Sequence, residues 1–144
     1  LLYRYGRAIE PVSYTTVLDN KDFTRSILGK GWSDIEGDFV WSKAPVAEID
    51  LPADPKRSSR LRLALGSYIP DKSFRQHIDV FVNGKPAGGW DFDNFEMRRQ
   101  IEVDLGPDPG ATQHIELHIA HPVEPQQYGL PDTRPLGVSL YGIK

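Results

Sequence analysis

The sequence predicts an all-β fold, a single antiparallel β-sandwich of jelly-roll type, and three observations carry that expectation. Short segments alternate apolar and polar residues with a period of two, the signature of strands buried on one face. Glycine and proline, 13 and 12 of the 144 residues, fall mainly between those segments, which recur at close to the spacing of about 8 to 12 residues seen in sandwiches. No segment sustains a helical period, and neither an internal repeat nor a low-complexity tract marks a second domain. A chain of this length buries roughly two thirds of the surface its unfolded form exposes, so one core is expected without disulfide or metal staples.

Taken in order, residues 1–11 mix aromatics with Arg4 and Arg7 and show no clean period. Residues 1–15 are expected to form a linker or N-terminal extension, as a short packed helix or as the flank of a membrane helix further upstream. The sandwich is expected to span 16–144. Residues 12–19 are rich in β-branched side chains and suit a first strand. Residues 22–29 suit a short helical turn, with Asp22 as N-cap and Gly29 as the stop. A turn from Gly31 feeds a strand over 38–42, in which Phe39 and Trp41 share a face and are expected in the core.

Residues 46–51 alternate again, and residues 60–69 place Leu61, Leu63 and Leu65 inward. In residues 77–83, Ile78, Val80 and Val82 share a face. Asn83-Gly84 is a strong hairpin signal, returning the chain along 85–92. Residues 97–105 supply another strand. Ile115, Leu117 and Ile119 then form one side of a strand, and a proline-rich loop over 122–135 leads to a last strand over 136–144. That last strand is expected inside a sheet, with the loop at the sheet's end.

Composition excludes several functions. There are 17 Lys and Arg against 20 Asp and Glu, a net charge of −3, so the basic footprint of a nucleic-acid binder is missing. The absence of cysteine removes disulfides and thiolate metal sites and leaves the compartment open. No apolar run approaches the roughly 18 residues of a membrane span. The chain opens at Leu1 without a methionine, so it is expected to be part of a larger or processed protein.

No catalytic motif and no cofactor fingerprint stands out. Ser139 in Gly137-Val138-Ser139-Leu140-Tyr141 lacks the final glycine and the following helix of a nucleophile elbow. Asp34, Glu36 and Asp38 are spaced like the start of a calcium loop, yet Phe39 stands where its glycine belongs and Pro45 where its glutamate belongs. A solvated turn is the reading there, with a calcium ion held by the wider fold as the alternative. His114 and His118 lie four apart on a strand, ~13 Å, too far to share an ion, and His121 faces the other way. No metal is assigned. His118 is expected outward and partly solvated, and His121 is expected to cap the core where its strand leaves the sheet.

Trp32 and Trp90 each stand near glycine and an acidic residue, and an open indole there could receive the apolar face of a sugar. Tyr128, Asp132 and Arg134 on the long loop are the accompanying candidates. Asp132 and Arg134 also read as a structural pair that pins the loop before the last strand. Carboxylate pairs suited to glycoside hydrolysis are not indicated by spacing.

Gly31-Trp32-Ser33, the Trp-Ser step at the end of 39–42, Asn83-Gly84, and the run His121-Pro122, Pro125, Gly129, Asp132, Arg134, Leu136-Gly137 resemble one family. It is the C-terminal β-sandwich accessory domain of membrane-bound phosphoglycerol transferases of periplasmic glucan synthesis and related cell-envelope glycosyltransferases. The resemblance covers residues 16 to the end and implies a non-catalytic module of carbohydrate-binding-module or galactose-binding-like fold. It implies a place at the periplasmic or extracytoplasmic face of the inner membrane, within a larger protein that supplies the catalytic and membrane domains. Glycan is the ligand expected, from the chemistry of the side chains, at Trp32, Trp90, Tyr128, Asp132 and Arg134. The alternatives are a docking module that positions a membrane-bound transferase, or a small envelope hydrolase or transferase.

Overall fold

The computed structural model of the chain describes residues 20–94, 98–107 and 109–144, together with the backbone of 2–4, 7–9 and 15–16. Among these, β1 (Leu2–Arg4) pairs with β2 (Arg7–Ile9), and β3 (Thr15–Thr16) pairs with the C-terminal strand. A short helix α1 (Lys21–Ile27) follows. Then come β4 (Trp32–Glu36), β5 (Phe39–Ser42), β6 (Val46–Leu51) and β7 (Arg60–Ser67). β8 (Gln76–Val82), β9 (Lys85–Phe92), β10 (Arg99–Asp104), β11 (Gln113–Ile119) and β12 (Val138–Ile143) complete the strands.

Apart from the separate β1-β2 pair, the strands make two antiparallel sheets. The larger runs β10-β7-β12-β5-β4, with β3 attached to β12, and the smaller runs β6-β11-β8-β9. Alternation decides what each sheet turns inward. Ala47, Ile49 and Leu51 of β6, Ile115, Leu117 and Ile119 of β11, and Ile78, Val80 and Val82 of β8 meet Leu61, Leu63 and Leu65 of β7 and Ile101 and Val103 of β10 in one buried cluster. Each of the Leu, Ile and Val side chains contributes roughly 1.5 to 3 kcal/mol relative to an exposed position, which explains why the register is held so firmly. β12 lies between β7 and β5, and Val138, Leu140 and Ile143 are buried there. The last strand is therefore inside a sheet, as its sequence predicts.

The Asn83-Gly84 hairpin forms as expected. Both residues have positive φ, 50° and 82°, the condition for a turn whose twist matches the strands it joins. The Gln76 side chain is fully buried yet satisfied: its amide donates to the carbonyl of His121 at 2.7 Å and its oxygen accepts from the backbone N–H of His121 at 2.9 Å. This corrects the role expected of His121, whose ring is exposed. Its backbone, not its side chain, closes the end of the sheet.

Two further expectations change. The helix begins earlier than predicted because Asn20, not Asp22, is the N-cap, accepting from the N–H of Phe23 at 3.0 Å; Asp22 lies in the first turn. Within the expected linker or N-terminal extension, the described backbone is that of β1 and β2, paired antiparallel. The first strand expected over 12–19 is described only at Thr15–Thr16, and the other residues of that stretch lie outside the described set. In 31–42 the segment before the predicted strand is itself a strand, β4, hairpinned onto β5 through Gly37.

Candidate functional site

β5 buries Val40 and Ser42 and turns Phe39 and Trp41 outward. This reverses the expectation that the two rings belong to the core, and it creates the most conspicuous feature of the larger sheet. Phe39 packs edge-on to Trp41 with centroids 5.7 Å apart, Trp41 edge-on to Tyr68 at 6.0 Å, and Phe39 against Tyr141 of β12 at 5.5 Å. All four rings are half-buried. Ser139, opposite Trp41 in the ladder, is buried although it points to the same face, so the rings roof over it. The guanidinium of Arg98 lies 3.8 Å from the centroid of Tyr141, within cation–π range, and 3.6 Å from Asp38.

The loop before β12 adjoins this row. It is zipped at its base by paired backbone bonds between Val123 and Leu136, both 2.8 Å, and turns through a 3-10 segment, Pro125–Tyr128, that ends at Gly129 with φ 84°. Tyr128 and Leu130 project into solvent, about half exposed. Burial raises the pKa of the Tyr68 phenol, with smaller contributions from nearby Asp132 and Tyr128. The loop thus continues the aromatic row at one end.

Arg134 anchors that loop. Its Nη2 donates to Asp132 at 2.6 Å and its Nε to both Asp132 oxygens at 3.0 and 3.1 Å, while Nη1 reaches Ser33 Oγ at 2.7 Å and Glu36 at 2.9 Å. Hydrogen bonding to Asp132 holds the guanidinium pKa above its ordinary value, and the same bond holds the Asp132 carboxyl below its own. Most of the donor fork is therefore spent inside the protein, tying the loop to β4. The structural pairing anticipated for Asp132 and Arg134 is present. Glu36 answers Arg134 and Asp38 answers Arg98, so two carboxylates of the calcium-like spacing serve as ion-pair partners around the β4-β5 turn.

The two tryptophans singled out in the sequence behave differently from an open platform. Trp32 is buried, and its indole N–H donates to the carbonyl of Glu48 at 2.8 Å. Gly31 has φ 93° and a Cβ there would lie 2.0 Å from the Val46 carbonyl, so the chain presses against β6 and carries the indole inward. What remains accessible borders a cleft of about 310 Å³ with Arg25, Ser33 and Asp34. Trp90 is half-buried and packs on the core from β9, the far edge of the other sheet, with its six-membered ring over Gly88. The structure groups Tyr128, Asp132 and Arg134 on one loop and sets Trp90 elsewhere.

Ser139, at 1% exposure inside β12, is closed to substrate. His118 points outward, as expected, with Nε2 3.0 Å from Glu116 and its ring 4.5 Å from that of Phe81.

No family model and no curated protein sequence matches the chain. Among solved structures it is similar to the CBM36-1 domain, a carbohydrate-binding module, of a multidomain xylanase from the hindgut metagenome of Trinervitermes trinervoides. The TM-score is 0.50 at 13% identity, over 83% of this chain and 89% of that one. It is also similar to part of an acetyl xylan esterase, Est2A, from the rumen bacterium Butyrivibrio proteoclasticus, with TM-score 0.52, 10% identity and 91% of this chain but 31% of the esterase. A third likeness, TM-score 0.50 at 11% identity, is to dimeric latent PorU from Porphyromonas gingivalis, over 81% of this chain and 11% of that protein. At such identities the likeness is one of fold: an antiparallel sandwich of the kind a carbohydrate-binding module uses. These likenesses carry no sign of a phosphoglycerol-transferase parent.

Proposed function

We propose that this domain is a non-catalytic accessory module that holds a glycan chain across the outer face of its larger sheet. The observation that carries this reading is the row Phe39, Trp41, Tyr68 and Tyr141, continued by Tyr128 on the adjoining loop. Pyranose rings cover their apolar C–H faces on such side chains, while hydroxyls take hydrogen bonds from phenol and guanidinium groups at the rim, here Tyr141, Tyr128 and Arg98. Rings already packed on one another lose little conformational freedom when a ligand lands. The ordering cost of binding is correspondingly small. Affinity for one short oligosaccharide is expected in the millimolar to micromolar range, roughly 4 to 8 kcal/mol.

The larger assignment, an extracytoplasmic module of a membrane-bound cell-envelope enzyme, is part of the same proposal and is supported by the sequence resemblance alone. Xylan oligosaccharides and periplasmic glucan are the first ligands to titrate. The former are chosen because two of the fold neighbours belong to xylan-degrading enzymes. Amide chemical shifts and tryptophan fluorescence are expected to change around Trp41 and Tyr68, and Trp41→Ala to reduce binding at least tenfold while the chain stays folded. Trp90→Ala is the control, expected to cost about 2 to 3 kcal/mol of stability from lost packing with affinity unchanged. If no glycan perturbs the aromatic face at millimolar concentration, the docking-module reading replaces this one. Turnover of a glycan that disappears on replacing one Asp or Glu would instead establish an enzyme.

A further inference from the structure

The outer face of the smaller sheet carries a constellation of different chemistry. β11 turns His114, Glu116 and His118 outward, and in the ladder Glu48 of β6 stands directly opposite Glu116, while Asp50 stands opposite His114. Two carboxylates in that relation repel. Between them lies the imidazole of His114, with Nε2 3.3 Å from Glu116 and 3.5 Å from Glu48. On its other side Nδ1 is 2.6 Å from Asp50. A carboxylate on Nδ1 keeps a proton there and fixes the ring, as in metal-ligating histidines, so a cation at Nε2 would displace only the proton that nitrogen shares with Glu116. Glu116 is oriented in the same way, its other oxygen accepting from His118 Nε2 at 3.0 Å.

The spacing fits a metal ion, and the donor set selects its kind. Ligands held about 2.0 to 2.1 Å from a tetrahedral centre lie roughly 3.3 to 3.5 Å apart, and both His114 separations fall in that range. All three ligand atoms lie within 4.8 Å of one another. We propose that Glu48, His114 and Glu116 bind a divalent transition-metal ion of the zinc type, with a fourth position open to solvent. A nitrogen with two carboxylates suits zinc and its neighbours, whereas calcium and magnesium require an all-oxygen shell of higher coordination number. Because β6 is an edge strand, the ion clamps that edge to β11. The histidines of β11 are too far apart to share an ion with each other, but His114 needs only the strand beside it. The site is independent of glycan binding on the opposite face.

The test uses the 144-residue chain, stripped with chelator and titrated at neutral pH with zinc, calcium and magnesium chlorides. Binding is followed by calorimetry, thermal unfolding and imidazole 15N resonances. One zinc per chain, a shift of the His114 Nε2 resonance and a raised melting temperature are expected, with no response to calcium or magnesium. His114→Ala and Glu116→Gln are expected to weaken zinc at least tenfold, and Asp50→Asn by about 10- to 100-fold through lost orientation of the ring. His77→Ala, on the same face, is expected to leave zinc binding unchanged. Glu48→Gln on the edge strand gives the same reading should His114→Ala fail to fold. The proposal is overturned if zinc leaves the His114 resonances in place or binds His114→Ala as well as the parent, or if calcium binds as tightly. The cluster would then be a network held together by a proton alone.

Discussion

The two outer faces of the sandwich are built on the same inward alternation and share almost nothing else. The larger sheet shows packed rings, Phe39, Trp41, Tyr68 and Tyr141; the smaller shows a ladder of histidines and carboxylates, with Asp50 and Glu48 against His114, and Asp79 and Asp91 against His77. Inward positions answer to one requirement, burial of apolar surface, and both sheets meet it with Leu, Ile and Val. Outward positions carry no such requirement. An aromatic row there keeps partly apolar surface in water, a feature of recognition faces more than of idle ones. A charged ladder is easily solvated, so only its geometry, not its mere presence, argues for a ligand.

The largest test of this comparison removes the frame that both faces share. Deleting residues 136–144 takes away β12, exposes the edges of β7 and β5 and removes Val138, Leu140 and Ile143 from the core. Those three side chains alone represent roughly 5 to 8 kcal/mol, comparable with the whole stability of a domain this size. The truncated chain is expected to be unfolded, seen as collapsed amide dispersion. A truncation with unchanged dispersion would show that the larger sheet stands without its central strand.

The next test is confined to the loop beside the aromatic face. Arg134→Ala frees Asp132, Glu36 and Ser33 together, and since the pair is about 30% exposed the expected loss is about 1 to 2 kcal/mol. The pH sign follows from Asp132, whose carboxyl is held low by Arg134. Its contribution is present above the unfolded carboxyl pKa and is lost as pH falls through the depressed folded value. Amide exchange in 123–136 is expected to accelerate in the variant while the core strands keep their protection. Uniform acceleration across the domain would mean that the loop is part of the global unfolding unit.

Much of the fold was legible because burial writes itself into alternation. Leu61, Leu63 and Leu65, or Ile115, Leu117 and Ile119, leave no doubt about which side faces the core. β5 differs from expectation for the complementary reason: Phe39-Val40-Trp41-Ser42 alternates, but period alone does not say which set is inside, and two large rings outweigh one valine in the sequence. Its partner in the ladder held the missing signal, because Leu140 lies opposite Val40 and Ser139 opposite Trp41. The burial of Trp32 is not legible in the sequence, because the close approach of Gly31 to β6 is a tertiary fact. The Asp132-Arg134 pair was readable because it is local in the chain, whereas its reach to Ser33 and Glu36, and the meeting of Glu48 with His114, join residues far apart in sequence.

The smallest expected effect belongs to the charged face, at a position away from the proposed metal ligands. His77 bridges two carboxylates, Nε2 to Asp79 at 2.8 Å and Nδ1 to Asp91 at 2.7 Å. The groups facing it from neighbouring strands are Asp91 on β9 and, across Asp79, His118 on β11. Hydrogen bonds to Asp79 and then to Asp91 raise its pKa above the ordinary 6.5, against a smaller effect of burial. A raised folded value means that the stabilisation is complete below the unfolded pKa of 6.5 and is lost as pH rises through the folded one. All three side chains are well exposed, so solvent and salt screen the attraction and the effect is expected below about 1 kcal/mol. Melting temperatures of the parent and of His77→Asn, compared from about pH 6 to about pH 8 in chelator, are expected to converge as pH rises. Addition of salt is expected to shrink the difference at the acid end. Parallel curves at every pH and salt concentration would show that this ladder is solvated charge and nothing more, leaving the contrast between the two faces to rest on the rings and on His114.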